Sequence, residues 1–299
     1  MLALIAGEGS LPAAVAAAQP RKPLVCAVRG HPPAGLEPEI TFRLETLGGL
    51  FTTLHARGVT QVCICGAVRR PQIDLAALDD ATMPLVPRMR EALQKGDDGA
   101  LRVLIALLEE EGFEVVGAHQ AATDLLPPAG LPTMARPGPE TAAEADLGAR
   151  VVAELGAADL GQACAIRGDS VLAREGPDGT DAMLARLAPP RGTAPLRPAG
   201  EPFGWAADMM GDVLGGAADW LSGQDGSPDR PRAGILYKAP KPGQDQRADL
   251  PAIGPGTVES VARAGLAGIV IEAGGVMVLE RAKTVAALDR AGLFLWIRD

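Results

Sequence analysis

The chain has 299 residues and is 47% hydrophobic but only 3% aromatic, so it is long enough for two ordinary domains with aliphatic cores. Its formal net charge of −9 argues against a nucleic-acid-binding protein, because such proteins normally present a basic face. The apolar run at residues 1–6 is too short for a signal peptide, and no apolar stretch approaches the roughly 18 residues of a membrane-spanning helix. We therefore expect a cytoplasmic protein.

The first half of the chain predicts a Rossmann-like domain over residues 1–134. Short apolar runs predict strands, and segments with helical spacing alternate with them. The strands are LALIA, PLVCAV, QVCICGA and FEVVGA, and the helices are LPAAVAAAQ, LGGLFTTLHARG and GALRVLIALLEEEG. This alternation predicts a parallel sheet with helices on both faces. The proline-rich LPPAGLPTMARPGPE is typical of a stiff linker, so we place a domain boundary near residue 135.

The cysteines all lie in apolar runs, which predicts buried, reduced thiols. They are Cys26, Cys63, Cys65 and Cys164. A Cys-x-Cys pair in a strand puts both sulfurs on one face, but two sulfurs alone make a poor metal site.

Residues 135–299 predict a second α/β domain. A helix at PETAAEADLGARVVAELGA is followed by a hairpin at GQACAIRGDSVLARE, with RGDS at its turn, and helices and strands alternate again at the end. An extra segment at about 195–232 contains an apolar face at helical spacing. Its polar face carries Asp208, Asp212 and Asp219, which anionic lipid would repel. We therefore favour packing on the protein body or on a second subunit over lipid contact.

The segment IAGEGSLP is the first candidate ligand site, because a strand ends, two glycines follow and a helix begins. Such a turn can bring backbone N–H groups close to a phosphate. The full dinucleotide motif needs a third glycine, and Pro12 stands in its place, so a nicotinamide site is not expected. Gly7, Gly9 and Ser10 either form a tight turn or contact a nucleotide phosphate.

Three further groups lie where a strand ends or a helix begins. Two adjacent arginines follow the strand QVCICGA and are either diphosphate ligands or surface charges. Acids at two helix starts are either caps or ligands. These residues are Arg69 and Arg70, then Asp97 and Asp98 beside Lys95, and then Thr180 and Asp181.

The segment KAPKPGQDQRADLPAIGPGT, residues 238–257, is the strongest candidate. Its four prolines restrict the backbone, so its polar groups are held before a ligand arrives. Lys238, Lys241 and Arg247 can neutralise phosphate oxygens, while Asp245 and Asp249 can bind a divalent ion or activate a water. The alternative is a solvated, salt-bridged loop, but such a loop rarely needs four prolines between apolar elements.

Several motifs together resemble the LpxI family, the UDP-2,3-diacylglucosamine diphosphatases of lipid A biosynthesis. They are IAGEGSLP, GAVRRP, KGDDGALR, EEEGFEVVGAHQ, LGQACAI, DGTDAML and, most specifically, KAPKPGQDQRADLPAIGPGTV. The resemblance implies a two-domain hydrolase in which water attacks the α-phosphorus of the UDP-sugar, giving UMP and 2,3-diacylglucosamine 1-phosphate (lipid X). It also implies a divalent cation, Mg²⁺ or a substitute such as Mn²⁺, and a peripheral position on the cytoplasmic face of the inner membrane.

The resemblance implies an essential Asp in the C-terminal domain, for which Asp245 is our first choice and Asp249 our second. We assign both to metal binding and, with Lys241, to catalysis. The expected substrate-binding residues are Lys238, Gln244, Arg247, Thr180, Asp181, Gly7, Gly9, Ser10, Arg69 and Thr257. A homodimer is possible. The alternatives are a nucleotide-sugar or lipid binding protein without hydrolytic activity, and another type of nucleotide-sugar enzyme.

Overall fold

A computed structural model describes residues 1–68, 74–94, 96–188, 232–242, 245–247 and 250–299. The predicted extra segment at about 195–232 therefore lies outside the described residues except for its last position. Arg69, Arg70, Lys95, Gln244 and Asp249 also lie outside them, as do the side chains of Asp97 and Asp98.

The N-terminal part is a five-stranded sheet in which every neighbouring pair is parallel, in the order β3-β2-β1-β4-β5. Its strands are β1 (Leu2–Ala6), β2 (Leu24–Val28), β3 (Ile40–Phe42), β4 (Gln61–Cys65) and β5 (Glu114–Val115). Its helices are α1 (Leu11–Ala17), α2 (Leu47–Ala56), α3 (Val86–Gln94), α4 (Gly96–Glu110) and α5 (Ala118–Ala121). Short 3₁₀ turns occur at Leu44–Thr46, Leu75–Ala77, Met83–Leu85 and Thr123–Leu125.

Both faces of this sheet are buried, as the continuous apolar strands require. Alternate residues of β1 point to opposite sides: Ile5 joins the core that contains Leu50 and Leu108, whereas Leu4 joins the one that contains Val15 and Ala118. The predicted parallel sheet with helices on both faces is confirmed.

The C-terminal part is a mixed five-stranded sheet in the order β12-β10-β8-β6-β7. β6 (Ala163–Arg167) and β7 (Ser170–Arg174) form the predicted hairpin, and β6 pairs antiparallel with β8 (Ile235–Lys238). β8, β10 (Gly268–Glu272) and β12 (Phe294–Arg298) run parallel. β9 (Ala252–Ile253) and β11 (Met277–Val278) form a separate short parallel pair. The helices are α6 (Thr141–Ala157), α7 (Gly179–Leu187), α8 (Pro255–Arg263) and α9 (Arg281–Ala291).

Helix α6 covers one face of this second sheet, and α7, α8 and α9 cover the other. A two-domain α/β protein was predicted, and this fold confirms it. All four cysteines are buried and free, as expected, and burial raises the pKa of the Cys26 thiol to about 12. None of the helices in the described ranges is long and apolar enough to cross a membrane.

The two domains share an apolar cluster. Leu250 and Met277, next to and within the β9–β11 pair, pack with Leu4 and Cys63 of the N-terminal sheet. The linker between the domains also contacts the second sheet. Its Gly130 exchanges two backbone hydrogen bonds of 2.9 Å with Ile297 on the edge strand β12. The small β9–β11 pair is therefore one part of the C-terminal domain that meets the N-terminal domain.

Gly148 on α6 allows the helix to approach Tyr237 on β8. A Cβ atom at this position would lie 2.6 Å from Tyr237 Cγ, closer than carbon atoms can pack. We expect Gly148→Ala to lower the free energy of unfolding by about 1–3 kcal/mol, because overpacking outweighs the gain in helix propensity. Urea unfolding measures this.

The matched control is Gly256→Ala in α8, where a Cβ atom would meet nothing within 4 Å. It should leave the stability within about 1 kcal/mol of the wild type, or raise it. Equal effects of the two substitutions would contradict the close-approach explanation.

Candidate functional site

A cavity of about 280 Å³ lies between the domains, at the carboxyl ends of β1 and β4. Residues 8–11 and 66–67 line it from the N-terminal domain. Residues 246–247, Leu250, Met277 and Leu279 line it from the C-terminal domain. Ligands of open α/β sheets bind at this edge, and described residues of the segment 238–257 line the cavity as well.

The end of β1 and the end of β4 are held together by their backbones. Glu8 N–H donates to Ala67 O at 2.7 Å, and Ala67 N–H donates to Glu8 O at 2.9 Å. A side chain on Gly7 would collide with the Ala67 carbonyl, and Gly66 has a φ of +91°. Gly7 is thus needed for the close approach of the two strand ends, while Gly9 and Ser10 line the cavity itself.

Arg247 forms a bidentate ion pair with Asp245. Its Nε donates to Asp245 Oδ1 at 3.0 Å and its Nη2 to Oδ2 at 2.8 Å, while its backbone N–H also donates to Oδ1 at 3.1 Å. This pairing, which outweighs the effect of burial, lowers the pKa of Asp245 below its usual value. The carboxylate is therefore ionised at neutral pH.

Arg247 also reaches the N-terminal domain. Its Nη1 donates to Glu109 Oε1 on α4 at 2.5 Å, and its Cα lies 3.2 Å from where a Cβ of Gly117 would be. These contacts with its two carboxylate partners raise the pKa of Arg247. One guanidinium thus joins the segment 245–247 to the wall of the first domain.

Lys238 and Thr180 form a second polar group, inside the C-terminal domain. The buried Lys238 Nζ donates to Thr180 Oγ1 at 3.0 Å and to Ala252 O at 3.2 Å. Thr180 Oγ1 in turn donates to Glu175 Oε1 at 2.5 Å, and Glu175 Oε2 accepts from the Gln162 N–H at 2.6 Å. None of these residues lines the cavity described above.

The remaining described candidates make local contacts. Asp181 Oδ1 accepts from Ser260 Oγ at 3.1 Å, and Thr257 Oγ1 accepts from the Gly254 N–H at 3.2 Å at the start of α8. Lys241 Nζ lies 2.8 Å from Asp159 Oδ1, beyond the end of α6. The structure thus brings Gly9, Ser10 and Arg247 to one cavity, with Asp245 bound to Arg247, and places Lys238, Lys241, Thr180, Asp181 and Thr257 elsewhere in the C-terminal domain.

Comparison with known proteins identifies the family. Residues 1–125 match the family model of the LpxI N-terminal domain, and residues 128–296 match that of the LpxI C-terminal domain. The chain belongs to the LpxI family. The resemblance seen in the sequence is confirmed.

A relative from Caulobacter vibrioides supports the same assignment. It is named UDP-2,3-diacylglucosamine pyrophosphatase LpxI, and it is 36% identical to this chain over 299 residues. The alignment covers 98% of this chain and 96% of the relative. This LpxI-family chain is therefore similar to its relative through both domains.

Sequence reasoning missed three polar residues near the cavity of this LpxI-family chain. Glu8 lines the cavity, and its Oε1 lies 2.8 Å from His31 Nδ1. The buried His119 Nδ1 has no hydrogen-bond partner among the described residues, and burial lowers the His119 pKa. Glu8 and His119 stood in the quoted motifs GEGS and GAHQ, but only the fold shows that both lie beside the second domain.

Asp245 fits a role as one carboxylate ligand of Mg²⁺. Its Oδ1 accepts two hydrogen bonds from Arg247, whereas its Oδ2 accepts one and retains a lone pair for a further contact. Mg²⁺ commonly uses one or two carboxylates and takes its other ligands from water and substrate phosphates. Within the described ranges, no group of three or more His, Cys, Asp or Glu residues could hold a metal by itself.

Thr180 links a buried ammonium to a buried carboxylate, so its hydroxyl should matter for stability. We expect Thr180→Val to lower the free energy of unfolding by about 1–3 kcal/mol, because Lys238 loses an acceptor and Glu175 loses a donor. Thr180→Ser keeps the hydroxyl and should retain most of the stability in chemical denaturation. Equal losses of stability in the two variants would show that the hydroxyl group contributes no more than the methyl group.

Arg247→Met should raise the pKa of Asp245 to its ordinary value of about 3.9 or above, because the pairing is lost while the burial remains. Since pairing lowers the folded-state pKa, the pair stabilises the protein above pH of about 4 and is lost as the pH falls through the lowered value. The stability difference between wild type and variant should therefore shrink at acid pH. Carbon-13 NMR titration of the Asp carboxyls measures the pKa directly.

The control for this titration is Glu109→Gln, which removes the other partner of Arg247 and leaves Asp245 paired. Its Asp245 pKa should stay low. An Asp245 pKa unchanged in Arg247→Met would show that another group holds the carboxylate in its ionised form.

Proposed function

We propose that this protein hydrolyses the diphosphate of UDP-2,3-diacylglucosamine in lipid A biosynthesis. The observation that carries the proposal is its membership of the LpxI family through both domains, together with a relative named for this activity. The cavity at the strand ends, lined in part by the most specific segment of the chain, supports the same function. In the proposed reaction water attacks the α-phosphorus, and the products are UMP and lipid X.

Arg247 is suited to hold the diphosphate. Its charge lies on the cavity wall, and its orientation is fixed before the substrate arrives by Asp245 and Glu109. A guanidinium in this setting neutralises charge on phosphate oxygens without having to reorganise during the reaction. We propose that Lys238, Lys241, Arg69 and Gln244 add to substrate binding, with Thr180, Asp181 and Thr257 in supporting contacts and Gly7, Gly9 and Ser10 on the opposite side.

Asp245 is better suited to orienting water or a cation than to removing a proton. A general base works best when its pKa lies near the operating pH, and the pKa of Asp245 is held below its usual value by Arg247. A carboxylate that stays ionised can accept a hydrogen bond from the attacking water and hold it in line with the α-phosphorus. We propose this role for Asp245, with Asp249 in support.

We further propose that Mg²⁺, or Mn²⁺ in its place, binds at Asp245 and Asp249. When bound, such an ion supplies positive charge to the phosphate oxygens and lowers the pKa of a coordinated water. Peripheral association with the cytoplasmic face of the inner membrane belongs to the proposal as well, because the substrate carries two acyl chains. We also propose a homodimer.

The proposal is tested by incubating the purified protein with UDP-2,3-diacylglucosamine, with and without Mg²⁺, and detecting UMP and lipid X by mass spectrometry. In ¹⁸O-water the label should appear in UMP, because the attack is at the α-phosphorus. Label in lipid X would mean attack at the β-phosphorus. Retention of the UDP-sugar without UMP release would identify a binding protein instead.

Asp245→Asn should reduce turnover by at least ~100-fold, the scale of losing a group that acts on the reacting water. Asp146→Asn is the control, because Asp146 also forms an ion pair, with Arg298 at 2.6 Å, but does not line the cavity. Its turnover should match the wild type. Near-normal turnover in folded Asp245→Asn would remove Asp245 from the mechanism.

A further inference from the structure

The two charged residues that line the described cavity come from different domains. Arg247 comes from the C-terminal domain and Glu8 from the end of β1. A carboxylate repels phosphate, so Glu8 faces a part of the ligand that is uncharged and donates hydrogen bonds. The mechanism proposed above gives Glu8 no role.

Glu8 is held in place from two directions. Its backbone pairs with Ala67 in both directions, so it cannot turn away from the strand end. Its carboxylate, 38% exposed, accepts a hydrogen bond from Nδ1 of the largely buried His31 ring at 2.8 Å. Gly30, at a φ of +86°, forms the turn after β2 that brings His31 over the end of β1. Among the described residues only Oε1 has a side-chain partner, so Oε2 can accept from a ligand.

We propose that Glu8 binds the vicinal ribose hydroxyls of the nucleoside diphosphate, with His31 as its positioning residue. The inference rests on the proposed function, because it concerns the same substrate: Glu8 binds its ribose and Arg247 its phosphates. Two adjacent hydroxyls present two donors to the acceptor atoms of a carboxylate, and acids at the strand ends of α/β sheets bind ribose in this manner. Here the acid follows the first strand, next to the glycine turn.

The size and lining of the cavity agree with a nucleoside. A volume of about 280 Å³ is just below the roughly 300–1,000 Å³ of small-molecule sites, so the cavity accommodates one part of a large substrate. Leu250, Met277 and Leu279 provide an apolar surface for a flat base, Glu8 faces the sugar, and Arg247 faces the phosphates.

The test compares the binding of UDP and 2′,3′-dideoxy-UDP to the full chain by isothermal titration calorimetry in Mg²⁺. Wild type should bind the dideoxy compound about 10- to 100-fold more weakly, because hydrogen bonds to a charged group are lost. Glu8→Ala should weaken UDP binding by a similar factor and bind the two ligands nearly equally. His31→Ala should lose part of the preference, and His31→Asn, which restores a donor, should regain it.

Glu111→Ala is the matched control, because Glu111 also faces a histidine, His55 at 3.5 Å, but lies away from the cavity. It should bind both ligands as the wild type does. Equal wild-type affinity for UDP and its dideoxy analogue, or no binding of UDP, would overturn the assignment, as would equal losses in Glu8→Ala and Glu111→Ala. If 3-methyl-UDP, rather than the dideoxy compound, binds more weakly than UDP, then Glu8 contacts the base and the ribose assignment is wrong.

Hydrolysis of UDP-2,3-diacylglucosamine by wild type, measured in parallel, separates the two proposals. Turnover without a ribose preference leaves the proposed function in place and overturns the role of Glu8. A Glu8-dependent ribose preference without turnover supports a nucleotide site and contradicts the hydrolase.

Discussion

The contact of Arg247 with two carboxylates is the interaction on which the site depends. It connects Asp245, in its own segment, with Glu109 on the opposite domain. Partly exposed ion pairs add little to stability, so the buried contacts of Leu250 and Met277 with the first sheet must provide most of the association. The ion pairs of Arg247 instead fix the orientation of the segment 245–247. The Arg247 side chain is thereby held in one rotamer at the cavity before a ligand binds.

A strongly acidic chain can still bind the anionic substrate proposed above. A net charge of −9 repels a diphosphate at long range, but salt screens such fields beyond about 8–10 Å. Within the cavity the local charges decide, and there Arg247 lines it from one domain and Glu8 from the other. A positive Arg247 and a negative Glu8, one from each domain, favour a ligand with an anionic end and a neutral, hydroxyl-bearing end.

The sequence predicted the regular elements best where burial alone decides them. The run LALIA coincides with β1 (Leu2–Ala6), and RGDS forms the turn of the β6–β7 hairpin. It did not predict β3, β9 or β11, which are two or three residues long and show no period within so few positions. These short strands exist because a neighbouring strand offers them hydrogen bonds, which is a tertiary effect.

The sequence by itself determined the two α/β domains and the family, because apolar spacing and a long specific motif are local properties of the chain. Only the tertiary structure decided which polar groups meet. It separated Lys238 and Thr180 from the cavity, paired Arg247 with Glu109, and placed Glu8 beside His31. Such contacts join residues far apart in the chain, and the spacing of residues along a sequence carries no information about distances that the packing of two sheets sets.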